Sequence, residues 1–330
     1  MKEYIDDKIL NHTMLLLEHL ERWRIIDCEK ILEIKYLECE YKKGSERPMV
    51  DNKWKKLSTD LPLRGKDTHF WLYFKFTMPQ RFIGKNVYLK LFPQNEWADV
   101  ADQHLVYIND KQVCTYDYNH SEIKLDNNQK EFEVYIYSYS GLSVTDYFTG
   151  EKSGYVIVPN LQIVEIDQDT ENLYYDLKVL EDISQYTDKN TKEYFELTTA
   201  IQGAKKLLDL RQPKSEAYFQ SIKAALDYLK NGIYANGNFH QPKVACVGHT
   251  HIDIAWLWTV GQTREKAQRS FATVIELMKQ HPEYKFSSSQ PILYQMVKEE
   301  APKLYEEIKQ RVKEGRWEAE GGMWLGADCN

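Results

Sequence analysis

The sequence contains little cysteine, and its few cysteines follow no recognisable pattern. Five occur in 330 residues, far apart and odd in number, and no two stand in a Cys-x-x-Cys spacing. This distribution excludes a disulfide framework and a thiolate zinc finger, and it is typical of reduced thiols in the cytosol. We therefore predict a cytoplasmic protein. The cysteines are Cys28, Cys39, Cys114, Cys246 and Cys329.

Long apolar runs and an excess of basic residues are also lacking. No stretch approaches about 18 consecutive apolar residues, and residues 1–24 carry charges in every turn, so we expect neither a membrane span nor a signal peptide. Lys and Arg total 43 against 50 Asp and Glu, which gives a net charge of −7. Such a chain has little attraction for phosphate backbones or anionic lipid. We expect no nucleic-acid partner and no membrane partner.

The hydrophobic pattern changes its period along the chain. Apolar residues recur at helical spacing over 4–24, at period two over about 31–166, and at period 3.6 in the next 70 residues or so. Short β-rich runs at this spacing indicate an antiparallel sandwich or jelly roll, and Asn109-Asp110 indicates a tight hairpin turn. The expected divisions are an N-terminal helix over 1–30, a β-rich sandwich-like domain over 31–168, a helical connector over 169–238 with helices near 171–183, 191–210 and 214–231, and a further domain over 239–330.

In the last division, predicted strands and helices alternate. This order implies right-handed βαβ units and a parallel sheet. In such sheets, functional residues gather at the carboxyl ends of the strands. The expected elements are a strand at 244–247, a helix at about 263–280, a strand at 284–287, one long helix over 291–313 and a strand at 317–320.

Potential metal ligands follow the first and third of these strands. His249, His251 and Asp253 stand at alternate positions after the first strand, and Asp328 follows the third strand after the Gly321-Gly322 pair. Imidazole nitrogen and carboxylate oxygen are donors that Zn²⁺ accepts, and a catalytic site leaves one position open for substrate. Because the strand ends meet at one edge, one Zn²⁺ could reach His251, Asp253 and Asp328.

Structural roles explain some of the neighbouring residues equally well. A single Asp after a strand often caps a turn, but three alternating ligands at a strand end favour a metal site. Trp256 could simply pack. Glu318 and Glu320, two apart on the third strand, could be buried catalytic carboxylates. We favour a structural role for them because nothing in the sequence pairs them with a second catalytic group.

Residues 243–330 resemble the start of the catalytic domain of the glycoside hydrolase family 38 α-mannosidases. Three segments carry the resemblance: HTHIDIAWLW at 249–258, FSSSQPILYQM at 286–296 and EGRWEAEGGMWLGADCN at 314–330. The layout of the preceding β-rich and helical segments is similar to the cytosolic or vacuolar branch of that family. The resemblance implies that 239–330 is the first βαβαβ part of a parallel α/β barrel.

The resemblance also implies a site and a reaction. It makes His251, Asp253 and Asp328 the Zn²⁺ ligands, Asp328 the nucleophile of a retaining α-mannosidase, and Trp256 the aromatic floor of the mannose subsite. His249 would then support the ligands without binding the metal, with direct binding as the alternative. The substrate class is α-mannoside oligosaccharides, and a homo-oligomer is compatible with the sequence. The family's fourth ligand and its general acid would lie beyond residue 330, so we expect the chain as written to hydrolyse no substrate detectably.

Two other readings stay open at this point. A metal-dependent amidohydrolase also begins with His-x-His at the end of a barrel strand and would bind metal through both His249 and His251. A non-catalytic carbohydrate-binding protein would instead use aromatic residues of the β-rich division, with Trp71, Trp97 and Tyr107 as candidates.

Overall fold

The order of helices and strands follows the changes of hydrophobic period along the sequence. The computed structural model describes residues 2–40, 47–57, 63–64, 68–92, 103–116, 120–139, 144–145, 152–153, 156–157, 160–235, 244–256, 258–321 and 323–326. The helices are α1 (Lys2–Trp23), α2 (Gln168–Tyr186), α3 (Lys192–Leu207), α4 (Glu216–Asn231), α5 (Val260–Gln280), α6 (Pro291–Glu300) and α7 (Pro302–Lys313). Within these described ranges, no helix combines the length and the apolar character that a membrane span requires.

Strands fill the expected β-rich part and recur singly between the later helices. The strands of the β-rich part are β1 (Ile25–Lys30), β2 (Lys35–Cys39), β3 (Lys55–Lys56), β4 (Leu63–Arg64), β5 (His69–Thr77), β6 (Val87–Phe92), β7 (Gln103–Ile108), β8 (Lys111–Tyr116), β9 (Glu122–Lys124), β10 (Glu131–Tyr139), β11 (Val144–Thr145), β12 (Lys152–Ser153), β13 (Val156–Ile157) and β14 (Asn160–Ile166). The later strands are β15 (Gly248–His249), β16 (Phe286–Ser287) and β17 (Trp317–Glu318).

The largest sheet is antiparallel and has six strands in the order β3-β2-β5-β10-β7-β8. Strands β7 and β8 are joined by Asn109 and Asp110, whose φ angles of 47° and 67° are both positive. A two-residue hairpin turn of type I′ requires this conformation, and Asn and Asp tolerate it better than most residues. The predicted turn is therefore confirmed. A four-stranded sheet has the order β1-β14-β6-β9, and the pairs β11-β12 and β4-β13 are short.

The chain divides into two compact units. The first comprises Met1–Glu29, Gly84–Tyr88 and Ile163–Lys243, and the second comprises Lys30–Ile83, Leu89–Gln162 and Val244–Asn330. The β-rich and helical character expected from the sequence is confirmed. The four division boundaries, the sandwich arrangement and the α/β barrel stay predictions.

Three helices of the first unit, α2, α3 and α4, begin at a residue whose side chain caps them. Asp167, Thr191 and Ser215 each accept a hydrogen bond from a backbone N–H three residues further on, at the start of α2, α3 and α4. These bonds satisfy donors that a helix start otherwise leaves unpaired. The three predicted connector helices are thereby confirmed to within a few residues at each end. Their buried core, shared with α1, consists of Leu16, Leu20, Leu173, Leu177, Leu180, Leu197, Ala200, Ile201, Ala204, Tyr218, Ile222, Ala225 and Leu229.

The second unit contains a parallel sheet in the order β15-β16-β17. Gly248 pairs with Phe286, and Phe286 pairs with Trp317. The Trp317 ring lies 4.6 Å from the Phe286 ring and 5.1 Å from the Phe271 ring of α5. Helices α5, α6 and α7 supply most of the remaining core beneath this sheet. The alternation of strand and helix predicted from the sequence is confirmed for this sheet.

Two expected elements differ from the structure. The single helix over 291–313 is instead α6 and α7, which break at Ala301 (φ −134°, ψ 63°). Pro302 causes the break, because proline disfavours the helical conformation of the residue before it and lacks an N–H. The strand expected at 244–247 begins later, at Gly248, where the backbone first pairs with β16; Val244 is 78% exposed.

Helix α5 also packs against the six-stranded sheet within the second unit. Thr115 of β8 donates its backbone N–H to the Thr273 hydroxyl at 3.0 Å. The Tyr137 hydroxyl of β10 donates to Glu265 at 2.8 Å, and the buried His69 side chain is hydrogen-bonded to the same hydroxyl. Burial raises the pKa of Glu265 to about 7, although Arg269, Tyr137 and Gln262 each act to lower it.

We predict that Glu265→Gln flattens the pH dependence of stability. Between about pH 4.5 and 7 the folded chain holds a proton on Glu265 that the unfolded chain has released, so the free energy of unfolding falls as pH rises through this window. Across this window the free energy of unfolding falls by roughly 3 kcal/mol. Thermal midpoints measured from pH 5 to 8.5 should therefore drop more in the wild type than in Glu265→Gln. Equal slopes would contradict the assignment. Tyr137→Phe removes a bond that lowers the Glu265 pKa and should extend the drop to higher pH.

A second prediction concerns the Trp317 ring. Trp317 is 2% exposed, whereas Trp324, a few residues later, is 55% exposed. Truncating a buried Trp to Ala typically costs about 3–5 kcal/mol, while exposed substitutions stay within about 0.5 kcal/mol. Urea unfolding followed by far-ultraviolet circular dichroism should show this contrast between Trp317→Ala and its control, Trp324→Ala. Similar midpoints for the two variants would refute the proposed packing role.

Candidate active site

The candidate active site lies at the carboxyl edge of the β15-β16-β17 sheet. The strands are parallel and in register, so the segments that follow them leave the sheet at one edge. Residues 250–258 follow β15, residues 288–290 lead from β16 into α6, and residues 319–326 follow β17. Side chains from three separate parts of the sequence can therefore meet here.

His251 and Asp253 lie close together, as predicted. The His251 Nδ1 and Asp253 Oδ1 atoms are 3.8 Å apart, and the two side chains are 74% and 42% exposed. Ile252, between them, is buried in the core beneath the sheet at 4% exposure. This alternation anchors the segment by its middle residue and turns both potential ligands toward solvent. Asp328 lies outside the described residues.

His249 has a different environment from His251. It belongs to β15, and its Nδ1 is 2.9 Å from the backbone carbonyl oxygen of Ser287 on the neighbouring strand. Since a carbonyl only accepts, Nδ1 carries the proton and donates. His249 is thereby tied to β16 by one ring nitrogen, whereas His251 faces Asp253.

The donor set fits part of a zinc site. One imidazole nitrogen and one carboxylate oxygen, exposed and 3.8 Å apart, suit Zn²⁺ in chemistry and spacing. Within the described ranges, no group of three or more His, Cys, Asp or Glu residues is placed to hold a metal ion. The described part of the chain therefore places two potential ligands together, and the roles of His251, Asp253 and Asp328 as zinc ligands stay predictions.

The loop that carries Asp253 and Trp256 is organised by Thr263, which the sequence analysis did not single out. The Thr263 hydroxyl accepts from the Ala255 backbone N–H at 3.1 Å and from the Trp258 indole N–H at 3.2 Å. Thr263 is fully buried in the first turn of α5, one turn after the capping residue Thr259. In the sequence, the indication of this role is Thr259, the capping threonine four residues earlier. The loop is thus attached to the start of α5.

Exposed aromatic and apolar side chains lie in the segments that follow β15 and β17. Trp256 is 68% exposed and its ring stands edge-on to that of Trp258 at 5.6 Å. Met323 and Trp324, after β17, are also more than half exposed. Gly321 has a φ of 109°, a conformation that favours glycine, whereas Gly322 lies outside the described residues, so the sharp turn at this pair stays a prediction. An exposed indole can stack on an apolar face of a ligand, so Trp256 is available for the predicted role.

The remaining sequence candidates have other environments. Glu318 and Glu320 are exposed, so the suggestion of buried carboxylates is wrong. Trp71 is 3% exposed and packs against the rings of Tyr107 and Tyr137 in the six-stranded sheet. Its ring faces other side chains, which contradicts its use as a sugar-binding surface. Trp97 lies outside the described residues.

Comparisons with known proteins bear on the same segment. Residues 241–330 match the family described as "Glycosyl hydrolases family 38 N-terminal domain". The chain is 26% identical over 294 residues to Alpha-mannosidase G of Dictyostelium discoideum, covering 86% of this chain and 25% of that protein. It is 28% identical over 169 residues to human Alpha-mannosidase 2C1 (51% and 16% covered). It is 27% identical over 177 residues to the Saccharomyces cerevisiae Alpha-mannosidase (51% and 16% covered).

The chain spans about a quarter or less of the length of these curated relatives. Among solved structures, a β-glucuronidase from Bacteroides uniformis is similar over 42% of this chain and 18% of that chain, at 14% identity and a TM-score of 0.30, a likeness too small to support a conclusion. The sequence segments that carry the resemblance at 249–258, 286–296 and 314–330 all lie within the residues of the family match. Residues 241–330 of this chain are thus similar to the glycosyl hydrolases family 38 N-terminal domain, and the chain is similar to alpha-mannosidases.

Proposed function

We propose that the chain is part of a retaining α-mannosidase that removes terminal α-linked mannose from oligosaccharides. The observation that carries the proposal is the placement of His251 and Asp253 side by side at the carboxyl edge of the parallel sheet, inside the family-matched residues. The names of the curated relatives support the substrate class. We also propose a cytoplasmic location, which the scattered free cysteines favour.

His251, Asp253 and Asp328 would hold Zn²⁺ in this proposal. When bound, Zn²⁺ would act as a Lewis acid that orients the sugar hydroxyls and helps distort the sugar ring toward the transition state. His249, whose Nδ1 is engaged with Ser287, would support the segment without binding the metal. Ile252 and Thr263 would fix the backbone on either side of Asp253.

Asp328 would act as the nucleophile. Its carboxylate would attack C1 of the terminal mannose and form a covalent glycosyl ester as the leaving oxygen takes a proton from a general acid. Water, giving a proton to the former general acid now acting as a base, would then attack C1 from the face that the leaving oxygen vacated and release the Asp328 carboxylate, so the configuration at C1 is retained. Trp256 would stack on the sugar ring and hold it in place during both steps.

The proposal is tested by the stereochemistry of the product. The full-length protein, supplied with Zn²⁺ and an aryl α-mannoside, should release α-mannose first, observed by proton NMR before mutarotation. Initial release of the β anomer would exclude a retaining mechanism. Absence of hydrolysis in the full-length protein, with Zn²⁺ shown to be bound, would exclude the activity itself.

We predict that Asp253→Ala abolishes zinc binding while His249→Ala does not. Losing a ligand should weaken affinity by more than the roughly 10–100-fold that losing a residue behind the ligands costs. Chelator-stripped protein would be titrated with Zn²⁺ and the bound metal measured by mass spectrometry. Undiminished stoichiometric zinc in Asp253→Ala would show that the ligand set is wrong. Loss of zinc in His249→Ala equal to that in His251→Ala would favour the amidohydrolase alternative.

We further predict different kinetic effects for Asp328→Ala and Trp256→Ala in the full-length enzyme. Asp328→Ala removes the bond-forming group, so kcat on an aryl α-mannoside should fall below detection. Trp256→Ala removes stacking that is present in both the ground state and the transition state, so KM should rise while kcat changes little. Near-normal kcat in Asp328→Ala would eliminate this residue as the nucleophile.

A further inference from the structure

Gln290 has an unusual backbone conformation between β16 and α6. Its φ of 68° and ψ of 85° place it in the left-handed region, and it stands directly before Pro291, the first residue of α6. Residues before proline favour extended backbone, and non-glycine residues with positive φ are strained. Such a conformation persists only where surrounding contacts enforce it. The contacts of the Gln290 side chain show which segments depend on this backbone conformation.

The Gln290 side chain joins two segments of the candidate site. Its Nε2 donates to the Ile252 backbone carbonyl at 3.0 Å, and its Oε1 accepts from the Gly326 backbone N–H at 3.4 Å. A carbonyl only accepts and an N–H only donates, so the partners fix which way the amide faces. Ile252 adjoins Asp253, and Gly326 lies in the segment after β17. One planar amide thus bridges the first and third segments.

Gln290 is itself held by a rigid frame. It is 9% exposed, and its carbonyl accepts from the Leu293 backbone N–H at 2.9 Å. Beside it, the Tyr294 hydroxyl donates to the Ser288 carbonyl at 2.6 Å and accepts from the Trp317 indole at 2.9 Å. The left-handed backbone turns the side chain away from the start of α6, where it makes no capping bond. The side chain is therefore free to bridge, and the frame sets where it does so.

We propose that Gln290 is a positioning residue that sets the separation between the segment of Ile252 and Asp253 and the segment of Gly326. The inference rests on the proposed function for its catalytic consequence, because Asp253 is a proposed zinc ligand. Asp328 lies outside the described residues, so the argument depends on Gly326 and Ile252. Without the bridge, the two segments keep their own strands but lose their mutual spacing.

Three variants of the full-length protein test this role. Gln290→Gly relieves the backbone strain and removes the amide. Gln290→Asn tolerates positive φ and keeps an amide, but it is one methylene too short to reach both partners. The matched control is Gln295→Gly on α6, because the exposed Gln295 side chain donates to Glu299 on the same helix and glycine disturbs the helix outside the bridge. All three would be compared with the wild type in thermal midpoint.

Hydrogen exchange is the readout that does not depend on the proposed function. In Gln290→Gly and Gln290→Asn, the Gly326 amide should exchange faster than in the wild type, because its acceptor is lost. The control Gln295→Gly should leave that amide unchanged. Unaltered exchange at Gly326 in Gln290→Gly would overturn the inference, whether or not the protein is an α-mannosidase.

Zinc affinity and kinetics test the catalytic consequence. We expect Gln290→Gly to weaken Zn²⁺ binding by roughly 10–100-fold and to lower kcat on an aryl α-mannoside more than it raises KM, at an unchanged or higher thermal midpoint. Wild-type zinc affinity and kcat in Gln290→Gly would overturn the positioning role. If the wild type binds no zinc and cleaves no mannoside while exchange at Gly326 still responds to Gln290→Gly, the proposed function fails and the bridge stands.

Discussion

Burial of the Trp317 ring against Phe271 and Phe286 is the interaction on which the candidate site depends. Strands β15, β16 and β17 are each two residues long, so few ladder hydrogen bonds hold their register. The Trp317 ring lies about 5 Å from each of the other two rings, and burial of these rings removes a large apolar surface from water. This burial stabilises the sheet more than the few hydrogen bonds between such short strands do. The ring cluster therefore holds the three strands in register. The carboxyl edge of the sheet then determines where the three segments of the candidate site begin.

Helix α5 connects this core to the six-stranded sheet. One side of α5 contributes Phe271 to the ring cluster, and another presents Glu265 and Thr273 to the antiparallel strands. Because the pKa of the buried Glu265 is about 7, its ionisation weakens the packing of α5 on the sheet above neutral pH. Its hydrogen bond with Tyr137 links α5 to one position on β10. Thr263, in the first turn of the same helix, attaches the loop after β15. Helix α5 thus packs against the six-stranded sheet and also positions the loop after β15.

Several features could be predicted from local sequence because they depend on local physics. Asn109-Asp110 forms its turn because these residues tolerate positive φ, and α2, α3 and α4 begin at side chains that cap their own backbone. The pairing of His251 and Asp253 follows from alternation along one extended segment. The break at Pro302 was also local, and it was missed because the apolar periodicity continues across Ala301.

By itself, the sequence determined the order of the elements, the pairing of His251 with Asp253 and the resemblance to glycoside hydrolase family 38, since each depends on neighbours along the chain. The start of β15 at Gly248, the burial of Glu265 and the bridge made by Gln290 were decided only by tertiary structure. Each of these depends on groups between 36 and 128 positions away in the sequence. Hydrophobic period and residue type report which face of an element is buried, but they carry no information about which distant donor or acceptor lies against it.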